Sequence, residues 1–409
     1  MGQTSFDRAR IKILLLEGVH PSAVDNLQAA GYTNLTRLDH ALQDDALAQA
    51  LADVHIVGLR SRTLLSESVL SRAPRLMAVG CFCIGTNQVA LTAATRAGIP
   101  VFNAPYSNTR SVAELVLGQA IVLLRGVPEK TTQMHRGVWQ KSAKSSFEVR
   151  GKTLGVIGYG NIGAQLGVLA EGLGMNVIFH DVIRKLNLGN ARQVDTLDDL
   201  LERADVVSLH VPATPDTQNM IDQDALARMK PEAVLINASR GNVIDLDALA
   251  ERLRLSRILG AAIDVYPEEP KSNNDPFNSP LRGLPNVILT PHVGGSTMEA
   301  QSNIGVEVAE KLIRYSDNGS TLSATNFPEV ALPEHPGNHR LLHIHQNVPG
   351  VLSGINQALS ESNVNIAGQY LQTNSDIGYV VIDIDADYSE AVRAALAKIP
   401  GTIRTRLLF

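Results

Sequence analysis

The chain has 409 residues, room for two to four domains at about 150 residues each. Hydrophobic residues make up 44% and charged residues 19%, which excludes a disordered or fibrous chain. Lys and Arg number 36 against 41 Asp and Glu, and the resulting charge of −5 argues against a broad surface for nucleic acid or anionic membrane.

Two cysteines, Cys81 and Cys83, exclude a disulfide framework and do not make a zinc-finger pattern, so no metal site is expected. Free thiols fit a reducing cytoplasm. The start carries no signal peptide: Asp7, Arg8 and Arg10 precede a strand-sized run, Ile11 to Leu16. Met1 to Phe6 resembles a myristoylation signal, but Phe6 stands where Ser or Thr is needed. Thr153 to Ala170 is uncharged and nearly long enough to span a bilayer. It contains five glycines, Asn161 and Gln165, and reads as a buried strand and helix.

In chain order, Ile11–Leu16, His55–Leu59, Leu76–Gly80 and Pro100–Phe102 read as strands. Pro21–Ala30, Ser66–Ala73 and Gln88–Ala97 read as helices between them. This alternation predicts an open, mostly parallel sheet. Ser111–Arg125 follows as a longer helix, with Ser111 and Glu114 spaced as a capping box. A second alternation has strands at Thr153–Ile157, Asn176–Phe179, Val206–Leu209, Val234–Asn237, Gly260–Ile263 and Val287–Thr290. Helical patterns at 161–174, 196–203, 222–229 and 245–255 lie between them, and six strands complete a dinucleotide-binding sheet. Ser296–Tyr315 is a long amphipathic helix. Asp317 to Ser320, then Pro328, Pro333, Pro336 and Gly337, read as a linker. The last ~70 residues run βαββαβ, a ferredoxin-like order: Leu341–Gln346, Pro349–Ser360, Asn365–Gln372, Tyr379–Ile384, Ser389–Ile399 and Thr402–Leu407.

Gly158-Tyr159-Gly160-Asn161-Ile162-Gly163 follows a strand and opens a helix. The first glycine permits the tight turn, the second admits a pyrophosphate, and the third lets helix and strand pack. The helix N-terminus presents free N–H groups to that pyrophosphate. Asp181, 23 residues after Gly158, can accept from ribose hydroxyls and repels a 2′-phosphate. Together these predict NAD. Arg184 lies past the strand end.

Three later strand ends carry Asn237-Ala238-Ser239-Arg240-Gly241, Asp264 to Pro270, and Thr290 to Gly295. Ligands bind beyond the carboxyl ends of such strands. Hydride transfer from a hydroxy acid needs a base, a cation for the carboxylate, and a partner for the base. Histidine, arginine and a carboxylate suit these tasks. His210 also ends a strand and is read as structural or cofactor-lining.

With Gly58 to Thr63, Gly80 to Asn87 and Phe102 to Glu114, these segments resemble the D-isomer-specific 2-hydroxyacid dehydrogenases over essentially the full length. The resemblance is to bacterial members that carry a C-terminal ACT domain. It implies His292 as acid/base, Glu269 as its partner and Arg240 as the carboxylate clamp. It places Ala238, Ser239, Arg240, Asp264, His292, Gly294 and Gly295 along the cofactor, with Asp264 on the nicotinamide carboxamide. It also implies an α/β architecture of two doubly wound parallel-sheet domains plus a ferredoxin-like ACT domain. A Rossmann-like NAD domain, 109–295, would be inserted in a flavodoxin-like substrate domain, 1–108 and 296–332, with the ACT domain at 338–409. Gly294-Gly295 is a natural joint between domains.

Arg60 and Arg62 flank Ser61 and face one side of an extended segment, apt for phosphate. By resemblance Arg60, Ser61, Arg62 and Asn108 contact a phosphorylated hydroxy acid. Cys81 and Cys83 are assigned to packing, and Lys141 and Lys144 near Trp139 to a neighbouring subunit. In the tail, His343, His345 and Asn347 alternate along one strand face. The resemblance places a serine effector on His345, Asn347 and Asn365, at an interface between paired domains. The implied activity is NAD-dependent oxidation of 3-phosphoglycerate to phosphohydroxypyruvate, opening serine biosynthesis and inhibited by L-serine. It would belong to a cytoplasmic homotetramer with no nucleic-acid or membrane partner. The alternatives are the same chemistry on another acid, such as 2-hydroxyglutarate, or an NAD(H)-sensing binding protein.

Overall fold

The computed structural model describes residues 7–270, 274–334, 339–384 and 389–408. Met1 to Phe6, Pro336 and Gly337 therefore lie outside the described residues. The chain forms two compact units, Met1–Ser107 with Gln301–Phe409, and Asn108–Ala300.

The first unit contains a five-stranded parallel sheet: β1 (Ile13–Leu15), β2 (Leu35–Arg37), β3 (Ile56–Leu59), β4 (Ala78–Cys81) and β5 (Val101–Phe102), ordered β2-β1-β3-β4-β5. Four of its strands are buried on both faces, as a covered sheet requires, while the edge strand β2, Leu35-Thr36-Arg37, is partly exposed and escaped the sequence reading. Leu14, Val57, Leu59 and Val79 enter one core. Ile13, Leu15, Ile56 and Ala78 enter the other, against Ile304, Val308, Leu312 and Tyr315 of helix Met298–Asn318.

The second unit holds seven parallel strands: β6 (Thr153–Ile157), β7 (Asn176–His180), β8 (Arg192–Gln193), β9 (Val206–Leu209), β10 (Val234–Asn237), β11 (Gly260–Ile263) and β12 (Val287–Leu289). Their order, β12-β11-β10-β9-β6-β7-β8, reverses direction at β6. That is the dinucleotide-binding order with one strand added, and the switch point lies beside the glycine-rich turn. The two-residue β8 carries no apolar run and escaped the sequence reading.

The C-terminal domain, in the first unit, is antiparallel: β13 (His339–Gln346), β14 (Ile366–Thr373), β15 (Ile377–Ile384) and β16 (Thr402–Leu408), ordered β14-β15-β13-β16. Leu341, Val380 and Ile382 pack under Ile355, Leu359, Val392 and Leu396 of its two helices. Arg340, fully buried, donates Nε and Nη2 to Asp383 at 2.6 and 2.7 Å and Nη1 to the carbonyls of Asn318 and Pro333. The fold class therefore matches the expectation: two doubly wound sheets and a βαββαβ domain.

Two local expectations are corrected. The helix expected to start at Ser111 runs Thr109–Leu124, because Val112 N–H already bonds the Asn108 carbonyl at 3.1 Å. Ser111 instead meets the Thr297 hydroxyl at 2.8 Å and Glu114 pairs with Arg110, so there is no capping box. The supposed linker is packed structure. β5 is an edge strand, and its open groups are taken by this segment. Thr325 N–H donates to Val101 O, and Asn326 accepts from Val101 N–H and donates to Ile99 O. Phe327 and Val330 then bury against Leu342, Ile344 and Tyr379.

Candidate active site

Each glycine of the turn has a separate structural reason. Gly158 has φ 89°, and a Cβ there would lie 2.6 Å from His210 O. A Cβ on Gly163 would strike Gly158 O and crowd Val156, so helix and strand pack closely only without one. Gly160 faces open space and caps helix Asn161–Gly172 with no side-chain hydrogen bond. The first N–H groups of that helix are thus left for an anion. Asp181 directly follows β7, with Oδ2 accepting from Tyr159 N–H at 2.9 Å and Oδ1 from Ile183 N–H at 3.2 Å. The carboxylate is oriented yet keeps lone pairs for ribose hydroxyls. The open cradle and the oriented acid fit a dinucleotide.

At the end of β10, buried Asn237 shapes the next turn. Its Oδ1 accepts from the N–H and hydroxyl of Ser239, and its Nδ2 donates to Arg240 O. Arg240 donates Nη1 to Ser239 O at 2.6 Å. Gly241 is obligatory because the backbone of Tyr266 and Pro267 occupies the space of a Cβ.

Asp264, 1% exposed, directly follows β11 and holds the third loop. Oδ1 accepts from Thr290 Oγ1 at 2.6 Å and Val293 N–H at 2.8 Å, and Oδ2 from Gly294 N–H at 2.8 Å. These bonds hold His292 at φ 54°, a left-handed conformation that costs a non-glycine residue roughly 1–2 kcal/mol. Such strain persists only where surrounding contacts over-determine it. The result aims His292 Nδ1 at Glu269, 3.0 Å from Oε1 and 2.9 Å from Oε2. The Glu269 hydrogen bond raises the His292 pKa, against burial, with the Glu269 charge adding to the rise. Burial alone would raise the Glu269 carboxyl, but the His292 bond and charge bring it below its ordinary value. Arg240 is close enough to influence both. Asn108 packs against Gly295, its Oδ1 buried without a partner. Ala238 and Ser239 line the turn before Arg240. His210 binds Ser208 at 2.9 Å through Nε2, and burial drops its pKa to about 4, so its ring is neutral.

Arg60, Ser61 and Arg62 belong to the first unit. Sequence reading missed what holds them: Glu17, 8% exposed and left-handed at φ 60°. Its carboxylate accepts the N–H groups of Arg60, Arg62 and Thr63 at 3.1, 2.9 and 2.9 Å. The only signal was a charged residue at the end of an apolar strand. Burial raises both thiols, Cys83 to about 11, so these cysteines stay protonated.

In the C-terminal domain His345 is buried, bonding Gln346 O through Nδ1 and leaving Nε2 without a partner. Asn347 donates to Asn374 O. Asn365 precedes β14 at the other end of the sheet. His345 is in register with Gly378, whereas Ile366 is in register with Ile384, six residues away or about 20 Å along the strands. One chain does not bring the three together.

Among the described residues there is no cluster of three His, Cys, Asp or Glu for a metal, and no single helix is long and apolar enough to cross a membrane. One bent pair, Thr109–Leu124 with Val127–His135, passes that test together, but its first helix is a core element.

A dinucleotide cradle and a carboxylate–imidazole pair on one doubly wound sheet define a nicotinamide-dependent dehydrogenase. Residues 117–294 match the model of the D-isomer specific 2-hydroxyacid dehydrogenase NAD binding domain, and residues 341–404 that of the AHAS small subunit-like ACT domain. The chain is 60% identical to the D-3-phosphoglycerate dehydrogenase of Escherichia coli K12, covering all of both chains. It is 58% identical to that of Haemophilus influenzae, covering 100% of this chain and 99% of the relative. The NAD-complexed D-isomer specific 2-hydroxyacid dehydrogenase of Lactobacillus delbrueckii superposes with a TM-score of 0.68 at 27% identity, covering 77% of this chain and 100% of that one. The chain belongs to the D-isomer-specific 2-hydroxyacid dehydrogenases, on the branch of the D-3-phosphoglycerate dehydrogenases.

Proposed function

We propose that this chain oxidises 3-phospho-D-glycerate to 3-phosphohydroxypyruvate with NAD and is inhibited by serine. The observation that carries the reading is the His292–Glu269 pair on a loop clamped by Asp264. Bound NAD supplies the acceptor for the hydride leaving the substrate's C2. With its Nδ1 proton directed at Glu269, His292 takes the hydroxyl proton on Nε2 as the carbonyl forms. Glu269 stabilises the resulting imidazolium. Arg240 holds the substrate carboxylate. Gly158, Gly160, Asn161, Ile162 and Gly163 receive the pyrophosphate, and Asp181 selects NAD over its 2′-phosphorylated form. Ala238, Ser239, Gly294 and Gly295 line the cofactor, and Asp264 keeps a lone pair for the nicotinamide amide.

Arg60, Ser61 and Arg62 recognise the phosphate, and Asn108 assists. Serine binds His345 and Asn347 of one chain with Asn365 of a second, since one chain holds them apart. The assembly is a homotetramer in the cytoplasm, where Cys81 and Cys83 stay reduced.

The test is NADH formation from 3-phosphoglycerate, followed at 340 nm with and without serine. Serine-sensitive activity is expected. Arg60→Ala should damage turnover of 3-phosphoglycerate far more than that of 2-hydroxyglutarate. Equal losses would move the assignment to an unphosphorylated acid.

A further inference from the structure

Where the C-terminal domain meets the five-stranded sheet domain, a cleft of about 380 Å³ carries charge opposite to that of the chain. Among the described residues, Arg8, Arg75, Arg393, Arg404 and Arg406 line it against two carboxylates, Asp317 and Glu390, an excess of three positive charges. Both carboxylates are already committed. Asp317 takes Arg8 in a two-point pair at 3.1 and 2.9 Å and also accepts from the Tyr32 hydroxyl. Glu390 pairs with Arg393 at 2.8 Å.

Arg404 and Arg406 find neutral partners instead. Arg404 donates to Leu76 O, and Arg406 Nη2 donates to Ser316 O at 3.1 Å. The Arg406 guanidinium lies 5.1 Å from the centre of the Tyr315 ring, and its Nη1 is buried with no hydrogen-bond partner. Arg75 is exposed at the rim. Guanidiniums crowded at a partly desolvated seam repel one another, and an unpaired buried donor adds a further cost. A doubly charged anion removes both costs, and a planar fork suits phosphate and carboxylate alike. The volume is at the small end of small-molecule sites.

We propose that this cleft is an anion site that takes a compact dianion, a phosphate or a dicarboxylate, and pins the C-terminal domain to the sheet domain. Its walls come from both: Arg8, Arg75 and Asp317 from one side, Arg404 and Arg406 from the other. None of these residues takes part in the proposed reaction.

The test is calorimetric titration of the full chain with inorganic phosphate and, separately, with malonate, at fixed ionic strength. The 60–63 loop is itself read as a phosphate site, so the titrations are run on Arg60→Ala. That chain should retain a binding event, and adding Arg75→Glu should weaken it at least about tenfold. Arg406→Gln should do the same. Arg75 is exposed, so Arg75→Glu keeps the question answerable even if Arg406→Gln does not fold. For the binding that Arg75→Glu weakens, tighter phosphate assigns the occupant to phosphorylated compounds and tighter malonate to dicarboxylates, and either supports the site. No binding to the Arg60→Ala chain, or binding unchanged by Arg75→Glu, overturns it. Failure of the reaction assignment would show as absent turnover and leave these titrations unaffected.

Discussion

His292 and His343 meet opposite fates. His292 stands at a strand end with more than half of its side chain exposed and a carboxylate on Nδ1, and its pKa is raised. His343 lies inside β13, fully buried, bonded to the Thr402 hydroxyl at 2.9 Å with no carboxylate partner among the described residues, and burial, aided by His345, drops its pKa to about 4. The same imidazole is ready to exchange protons in one place and held neutral in the other. The deciding variable is whether a carboxylate arrives with the ring, since burial without one opposes the charge.

The strongest way to break this comparison is at His292. His292→Ala is expected to lower turnover by about 10²–10⁴-fold with NADH binding intact. Steady-state rates beside a fluorescence titration of NADH check it, and wild-type turnover would remove the acid/base role. The next effect is on stability. Between pH 6.5 and about 4 the unfolded His343 binds a proton that the folded one refuses. Stability present above pH 6.5 should therefore be lost as the pH falls toward 4, by on the order of 3 kcal/mol. Denaturant unfolding of His343→Gln across this range should show that loss reduced.

Glu269→Gln sharpens the contrast by making His292 more like His343. A neutral acceptor still orients the ring but no longer raises its pKa. The acid limb of the oxidation profile should move to lower pH, with turnover down by about tenfold. An unmoved limb would mean that Glu269 does not set the titration. The smallest effect is expected at Gly378, whose missing Cβ leaves room for the His345 ring. Gly378→Ala should raise the serine concentration for half-inhibition severalfold while uninhibited turnover stays within about twofold. An unchanged inhibition curve would separate His345 from serine.

Much of this was legible before any coordinates. Short apolar runs and glycine punctuation located the strands of both parallel sheets except β2 and β8, which carry no apolar run, because strands buried on both faces read as continuous apolar segments. The errors have a common cause. Asp317 to Pro333 reads as a linker by composition, yet it covers the open edge of β5, a need visible only once strand order is known. Ser111 fits a cap by spacing, yet the helix starts earlier and its hydroxyl meets Thr297 instead.

By itself the sequence determined the order of most strands and helices, but not β2, β8 or the helices Asp44–Leu51 and Val127–His135, together with the dinucleotide turn and the candidate acid/base set, because those patterns are local. Tertiary structure alone decided which charges meet. Glu17 holds a loop more than forty residues away, Arg340 finds Asp383 on the neighbouring strand, and five arginines gather around two carboxylates where two domains meet. Such pairings depend on which chain ends the fold brings together, and no local pattern records that.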